Sequence, residues 1–219
     1  MSKGRLFVCL SGKTGSGKSN VAEILQNDFD FHIVRITDII VDICHLIFHT
    51  PSLSVLDENP DAWNEPWKPE WNAVDLPSSH EFRLTIGERP LKARELIQRF
   101  GFAVRKQFPD AWLLPLFHNL ANVGFYKTFE RIVIPDVRLC HEVSRLRQLP
   151  TYEIWRIENP LLVSLDNDAT ETELDKLGHW DAVITNPGND YELSVLVKNA
   201  WERMCSRMGI DLQTDTTKT

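Results

Sequence analysis

The chain has 219 residues, enough for one α/β domain with a full core. Its 42% hydrophobic and 25% charged content match those of globular domains, which argues against global disorder, and no apolar run approaches membrane-spanning length. A formal net charge of −7 and a pI near 5.5 lack the basic footprint of a standing nucleic-acid partner.

Leu6–Leu10 is a continuous apolar run followed by glycine, the pattern of a strand buried on both faces of a parallel sheet. The apolar residues ahead of Gly12 are too few for a signal-peptide core, so a cytoplasmic protein (host cytoplasm, if phage-encoded) is expected. Val21, Ile24 and Leu25 give the following stretch, Ser19–Phe29, a helical spacing. A second strand is expected over Phe31–Ile36 and a helix over Asp38–Phe48. The segment 50–92 interrupts the rhythm with prolines and with Trp63, Trp67 and Trp71 at intervals of four. Its indoles either bury against the domain or cover a substrate base. A helix over Pro90–Arg105, a strand at Ile132–Ile134, a helix over Cys140–Leu149 and a strand at Glu153–Ile157 follow. Residues 158–181, rich in Asp, Glu, Asn and Thr, read as a lid-like segment. Ala182–Thr185 and Tyr191–Met208 close the chain as strand and helix. Alternating strands and helices predict βαβ units and a three-layer α/β fold, taken as a single domain over 1–219. Cys9, Cys44, Cys140 and Cys205 show no metal or redox spacing and are expected to be reduced thiols.

Gly12-Lys13-Thr14-Gly15-Ser16-Gly17-Lys18-Ser19 satisfies the phosphate-loop pattern G-x-x-x-x-G-K-[ST] between the first strand and first helix. Average composition yields that pattern by chance about once in a hundred chains of this length. Glycines let successive N–H groups converge on one anion at the positive end of the helix. Lys18 is placed to reach the β- and γ-phosphates, and the Ser19 hydroxyl to join a Mg²⁺ shell. The chain lacks the N-K-x-D of switch GTPases and is small for a mechanical ATPase, which leaves a kinase as the expected class.

Asp136 and Arg138 follow a strand, where ligands bind in parallel sheets. They could serve Mg²⁺ or a substrate proton and a phosphate, or be a turn residue and a surface cation. Asp38 opens a helix as an N-cap or as a catalytic carboxylate. Arg94 and Gln98 stand one turn apart, with Arg105 on the same expected helix, either to read a base edge and a phosphate or as a solvated face.

Four blocks together resemble the bacteriophage-type deoxynucleoside monophosphate kinases. They are the phosphate loop; Arg94–Gly101 continuing to Arg105 and Asp110-Ala111-Trp112; Val133–Arg138 with His141-Glu142; and Ala182–Asn186 before the last helix. The resemblance spans roughly residues 5–205 and implies an adenylate-kinase-like core using ATP and Mg²⁺. It implies phosphoryl transfer to a deoxynucleoside 5′-monophosphate, with 50–92 as an acceptor-side insertion and 158–181 as a lid. Catalytic roles fall to Lys18, Asp136, Arg138 and Asp38, and metal binding to Ser19 and Asp136. Donor binding falls to Gly12–Ser19 and Asn186, and acceptor binding to Arg94, Gln98, Arg105, Trp112 and Arg138. The chain departs from the family at Phe102, at Thr37–Val41, which lacks a lysine, and at Asp168–Glu171, all on the acceptor or lid side. The other readings are a kinase for another small acceptor or a modified base in DNA, and a nucleotide-binding regulator without turnover. Its small-molecule partners are nucleotides, and a homodimer is compatible with the sequence.

Overall fold

The computed structural model describes residues 5–64, 85–86, 89–90, 92–122, 129–162 and 173–211. The chain divides into two compact units, Met1–Arg35 with Asn119–Thr219, and Ile36–His118. The second is wider than the insertion expected over 50–92.

The first unit is built on β1 (Leu6–Ser11), β2 (His32–Ile33), β5 (Arg131–Val137), β6 (Tyr152–Glu158) and β7 (Ala182–Thr185), arranged β2-β5-β1-β6-β7. Every neighbouring pair is parallel. All six residues of β1 are buried, as its unbroken apolar run requires of a central strand. Val8 and Leu10 pack with Trp155, with Leu25 of α1 (Lys18–Phe29), and with Val197 and Trp201 of α7 (Asp190–Met208). Phe7 and Cys9, of opposite phase on β1, are equally buried, so both faces of the sheet are covered. The result is the expected three-layer α/β arrangement. Connections leave β1 towards β2 and β6 towards β7, in opposite directions, which makes the carboxyl ends of these two strands a switch point.

The second strand is shorter than expected, because Ile36 already opens α2 (Ile36–Phe48). Ile36, Ile40, Val41 and Cys44 form its buried face, so a helical period takes over residues that also suited a strand. β5 instead extends past Ile134. The register against β1 shifts between Cys9 and Ser11, opposite Pro135-Asp136, where a proline has no N–H to give the ladder. α6 (Cys140–Leu146) stops short of the expected Leu149, ahead of Pro150.

The second unit holds α2, α3 (Leu53–Glu58), a 3-10 turn at Pro60–Trp63, the short pair β3 (Thr85–Ile86) and β4 (Arg89–Pro90), and α4 (Ala93–Gln107). α5 (Leu113–Asn122) crosses the boundary between the units. Helix α4 starts after Pro90, which is taken by the antiparallel pair, and runs two residues beyond Arg105. Trp63 is half-buried; Trp67 and Trp71 lie outside the described residues, as do 163–172 of the lid-like segment.

The cysteines are all free. Burial pushes the Cys9 thiol far up, with Asp181 and then Asp136 adding to it, and pushes Cys44 and Cys205 up to about 11. These three are core groups rather than nucleophiles.

One buried charge anchors the last helix. Glu153 on β6 accepts from the indole Nε1 of Trp155 at 2.6 Å and from Nε and Nη2 of Arg207 at 3.0 and 2.6 Å. Glu153→Ala strands a buried indole N–H and is expected to cost about 2–4 kcal/mol in urea unfolding. Glu153→Gln keeps an acceptor for Trp155 and should cost roughly half as much. Equal unfolding midpoints for Glu153→Ala and the parent would contradict this anchoring role.

Candidate functional site

β1 delivers the chain into the glycine loop at the switch point, and α1 begins at Lys18. At Gly12 (φ 154°) a Cβ would stand 2.4 Å from the Ile157 carbonyl oxygen. At Gly17 (φ 100°) it would stand 2.2 Å from Asn186 Nδ2. Only a hydrogen fits at either place. The loop turns through Ser16 N–H donating to the Lys13 carbonyl at 3.0 Å, while Val21 N–H donates to the Gly17 carbonyl to start the helix. Thr14, Gly15 and Ser19 are exposed. Lys18 Nζ donates to the carbonyls of Gly12 at 2.5 Å and Lys13 at 2.8 Å, which hold the ammonium across the loop.

The first-turn N–H groups of α1 have no intrahelical acceptors. Helices α2, α4, α6 and α7 each carry an acidic residue in the first turn, whereas α1 has none and no side-chain cap. The loop therefore offers an ammonium and a helix N-terminus without acidic compensation, which suit an anion of several charges.

Asp136 and Arg138 stand at the matching end of the adjacent strand, where Val137 pairs in register with Ser11 directly before Gly12. Both are half-buried. The buried carboxylate of Glu142 accepts from the N–H groups of Arg138 at 2.8 Å and Leu139 at 3.1 Å, which fixes the turn that presents Arg138. Asn186 is also buried. Its Nδ2 donates to the Ser16 carbonyl at 3.0 Å, its Oδ1 accepts from Gly188 N–H at 2.9 Å, and its own N–H donates to the Glu158 carbonyl at 2.6 Å. This side chain braces the phosphate loop against the start of the last βα connection.

Three residues that motif reading missed also stand here. Arg156, buried near the end of β6, pairs with Asp175, which also lies 3.5 Å from Lys13 Nζ. The Arg156 guanidinium stacks 5.4 Å from the ring centroid of Trp180. A lone arginine inside the apolar strand Tyr152–Glu158 was the available signal.

In the second unit Asp38 lies in the first turn of α2, half-buried, where a carboxylate complements the helix dipole. Arg94 and Gln98 are exposed on α4, and Arg105 is half-buried, within about 40° of one another around the helix. Trp112, expected on the acceptor side, is buried, with Nε1 donating to the Gly101 carbonyl at 3.0 Å and its ring against Phe100. Its placement is that of a support beneath α4.

The parallel sheet, the glycine loop after its central strand and the helix that follows define a P-loop α/β fold. No protein-family model and no curated protein sequence matches the chain. Among solved structures it is similar to TT1252 from Thermus thermophilus, with 16% identity, a TM-score of 0.49, and 92% of this chain and 98% of that one covered. It is similar to dephospho-CoA kinase from Campylobacter jejuni, with 13% identity, a TM-score of 0.48, and coverage of 92% and 97%. It is also similar to a sugar kinase from Janibacter sp., with 13% identity, a TM-score of 0.38, and coverage of 97% and 99%. No described helix is long and apolar enough to cross a membrane.

The brace at Asn186 is directly testable. Asn186→Ala removes the buried bond to the Ser16 carbonyl, a loss of roughly 1–2 kcal/mol. Nucleotide binding should weaken about tenfold in calorimetric titration. Unchanged affinity would show that the loop holds its shape without Asn186.

Proposed function

We propose that the chain is a magnesium-dependent nucleotide kinase that transfers the γ-phosphoryl group of ATP to a deoxynucleoside 5′-monophosphate, giving the diphosphate. The observation that carries this reading is the register of β1 and β5, which sets Asp136 and Arg138 at the strand end beside the loop of Gly12–Ser19. The acceptor class is supported by the ordered motif blocks of the sequence.

The loop amides and Lys18 hold the β- and γ-phosphates. An oxygen of the acceptor phosphate attacks the γ-phosphorus as the bond to the β,γ-bridging oxygen breaks, and that electron pair leaves with ADP. Such a step needs alignment and charge neutralisation rather than a covalent intermediate on the protein. Ser19, exposed in the first turn of α1, and Asp136 offer hard oxygen donors, the chemistry that suits Mg²⁺ alongside substrate phosphates. These two residues would hold the ion, which supplies neutralisation of phosphate charge when bound. Arg138 can grip two phosphate oxygens at once. Arg94, Gln98 and Arg105 on α4 serve the acceptor's phosphate and base, and Asp38 supplies a second carboxylate.

Acceptor-dependent ADP release, measured with ATP, Mg²⁺ and a panel of ribo- and deoxynucleoside monophosphates, tests the reading. ADP should accumulate with a deoxynucleoside monophosphate and stay at background without one. ATP binding with no acceptor-dependent ADP would instead favour a regulatory module or an acceptor within DNA. Lys18→Ala should lower turnover about 10²- to 10⁴-fold with the fold intact. Arg138→Ala should lower kcat/KM for the acceptor more than about tenfold while ATP affinity stays near that of the parent. Parental kcat/KM in Arg138→Ala would remove Arg138 from the site.

A further inference from the structure

Beside the phosphate loop, wholly within the first unit, lies a cavity of about 450 Å³. That volume falls within the roughly 300–1,000 Å³ of pockets that take small organic ligands. Lys13 and Ser16 of the loop belong to its lining, so it opens directly onto the phosphate-gripping segment. The carboxyl-terminal halves of two neighbouring parallel strands complete it, through Arg156 of β6 and Thr185 of β7.

Two features of the lining point to an aromatic ligand. Arg156 is 7% exposed, and its guanidinium lies 5.4 Å from the Trp180 ring centroid, which gives the cavity a flat, cationic, polarisable wall. Arginine planes and indoles are the groups on which proteins stack nucleobases. Pro160 and Leu162 add apolar surface, and Leu162 Cδ2 comes within 3.2 Å of the position a Cβ would take at Gly15. The apolar lip thus packs against the loop itself.

Ser16, 2% exposed, lines the loop side of the cavity, and its Oγ is enclosed with no hydrogen-bond partner among the described residues. Asp175, held by Arg156 and 3.5 Å from Lys13, keeps both cations from standing unopposed at the cavity wall.

We propose that this cavity seats the nucleoside portion of the triphosphate whose phosphates lie in the loop, with the base against the Arg156–Trp180 wall. The inference rests on the nucleotide-kinase reading and adds that recognition extends beyond phosphate to the base. The chain then selects nucleotides over inorganic polyphosphate through Trp180, a residue outside every motif block.

The test compares ATP with inorganic tripolyphosphate, each with Mg²⁺, by calorimetric titration of the full chain. Tripolyphosphate offers the loop its phosphates and the cavity nothing. In Trp180→Ala, ATP affinity should fall roughly tenfold or more, the scale of one lost base-stacking contact, with tripolyphosphate affinity as in the parent. Trp180→Phe keeps a stacking ring and should retain most of the ATP affinity. Parental ATP affinity in Trp180→Ala overturns the inference. Equal weakening of both ligands also overturns it, since Trp180 would then act only by shaping the loop. Failure of the parent to bind either ligand removes the phosphate-loop reading itself, and the inference with it.

Discussion

A triphosphate carries several negative charges on a thin, flexible chain, and holding it demands backbone N–H groups that nothing else covers. In the function proposed above, that demand accounts for the loop of the first unit. The N–H groups must come from a loop with no Cβ at its closest approaches, hence Gly12 against the Ile157 carbonyl and Gly17 against Asn186. The loop must also be stiff, or its preorganisation is lost when charge arrives. Stiffness comes from a fully buried β1 on one side and from Asn186, bonded to the Ser16 carbonyl, on the other. α1 leaves its positive end free of acidic side chains, whereas most of the other helices compensate theirs. The net charge of −7 is therefore no guide to the site, where Lys13, Lys18, Arg138 and Arg156 gather on the loop and its neighbouring strand ends.

Much of this was legible in the sequence because parallel-sheet strands bury both faces. Leu6–Leu10 and Ile132–Ile134 are apolar runs too short for helices that became strands buried on both faces, and Ala182–Thr185 became the edge strand with Val183 half exposed. Phe31–Ile36 misled for the same reason, since Ile36 serves equally well as the first buried residue of a helix. Proline gave mixed signals. Pro90 marked no helix start but joined a strand pair, and Pro135 sat inside β5 at a register shift rather than ending it.

The site was legible where it is contiguous and obscure where it is assembled. Gly12–Ser19 could be read directly because one turn supplies all its chemistry. Asp136 and Arg138 were expected at a strand end, where ligands meet parallel sheets, and they stand at the end of β5 beside β1. Arg156, Asp175 and Trp180 had no such rule, because they come from separate segments and meet only through the fold. Trp112 is the reverse case. A motif position suggested contact with substrate, but its indole N–H answers the Gly101 carbonyl within the second unit.

The central claim is that the amides of Gly12–Ser19 grip phosphate. Backbone amide NMR of the ¹⁵N-labelled chain reads those groups one by one. Adding ATP with Mg²⁺ should move the Gly15–Ser19 amide resonances strongly, tripolyphosphate should reproduce most of that shift, and adenosine alone should leave them in place. Loop resonances that stay unmoved by ATP and tripolyphosphate, or that respond equally to adenosine, would contradict the account.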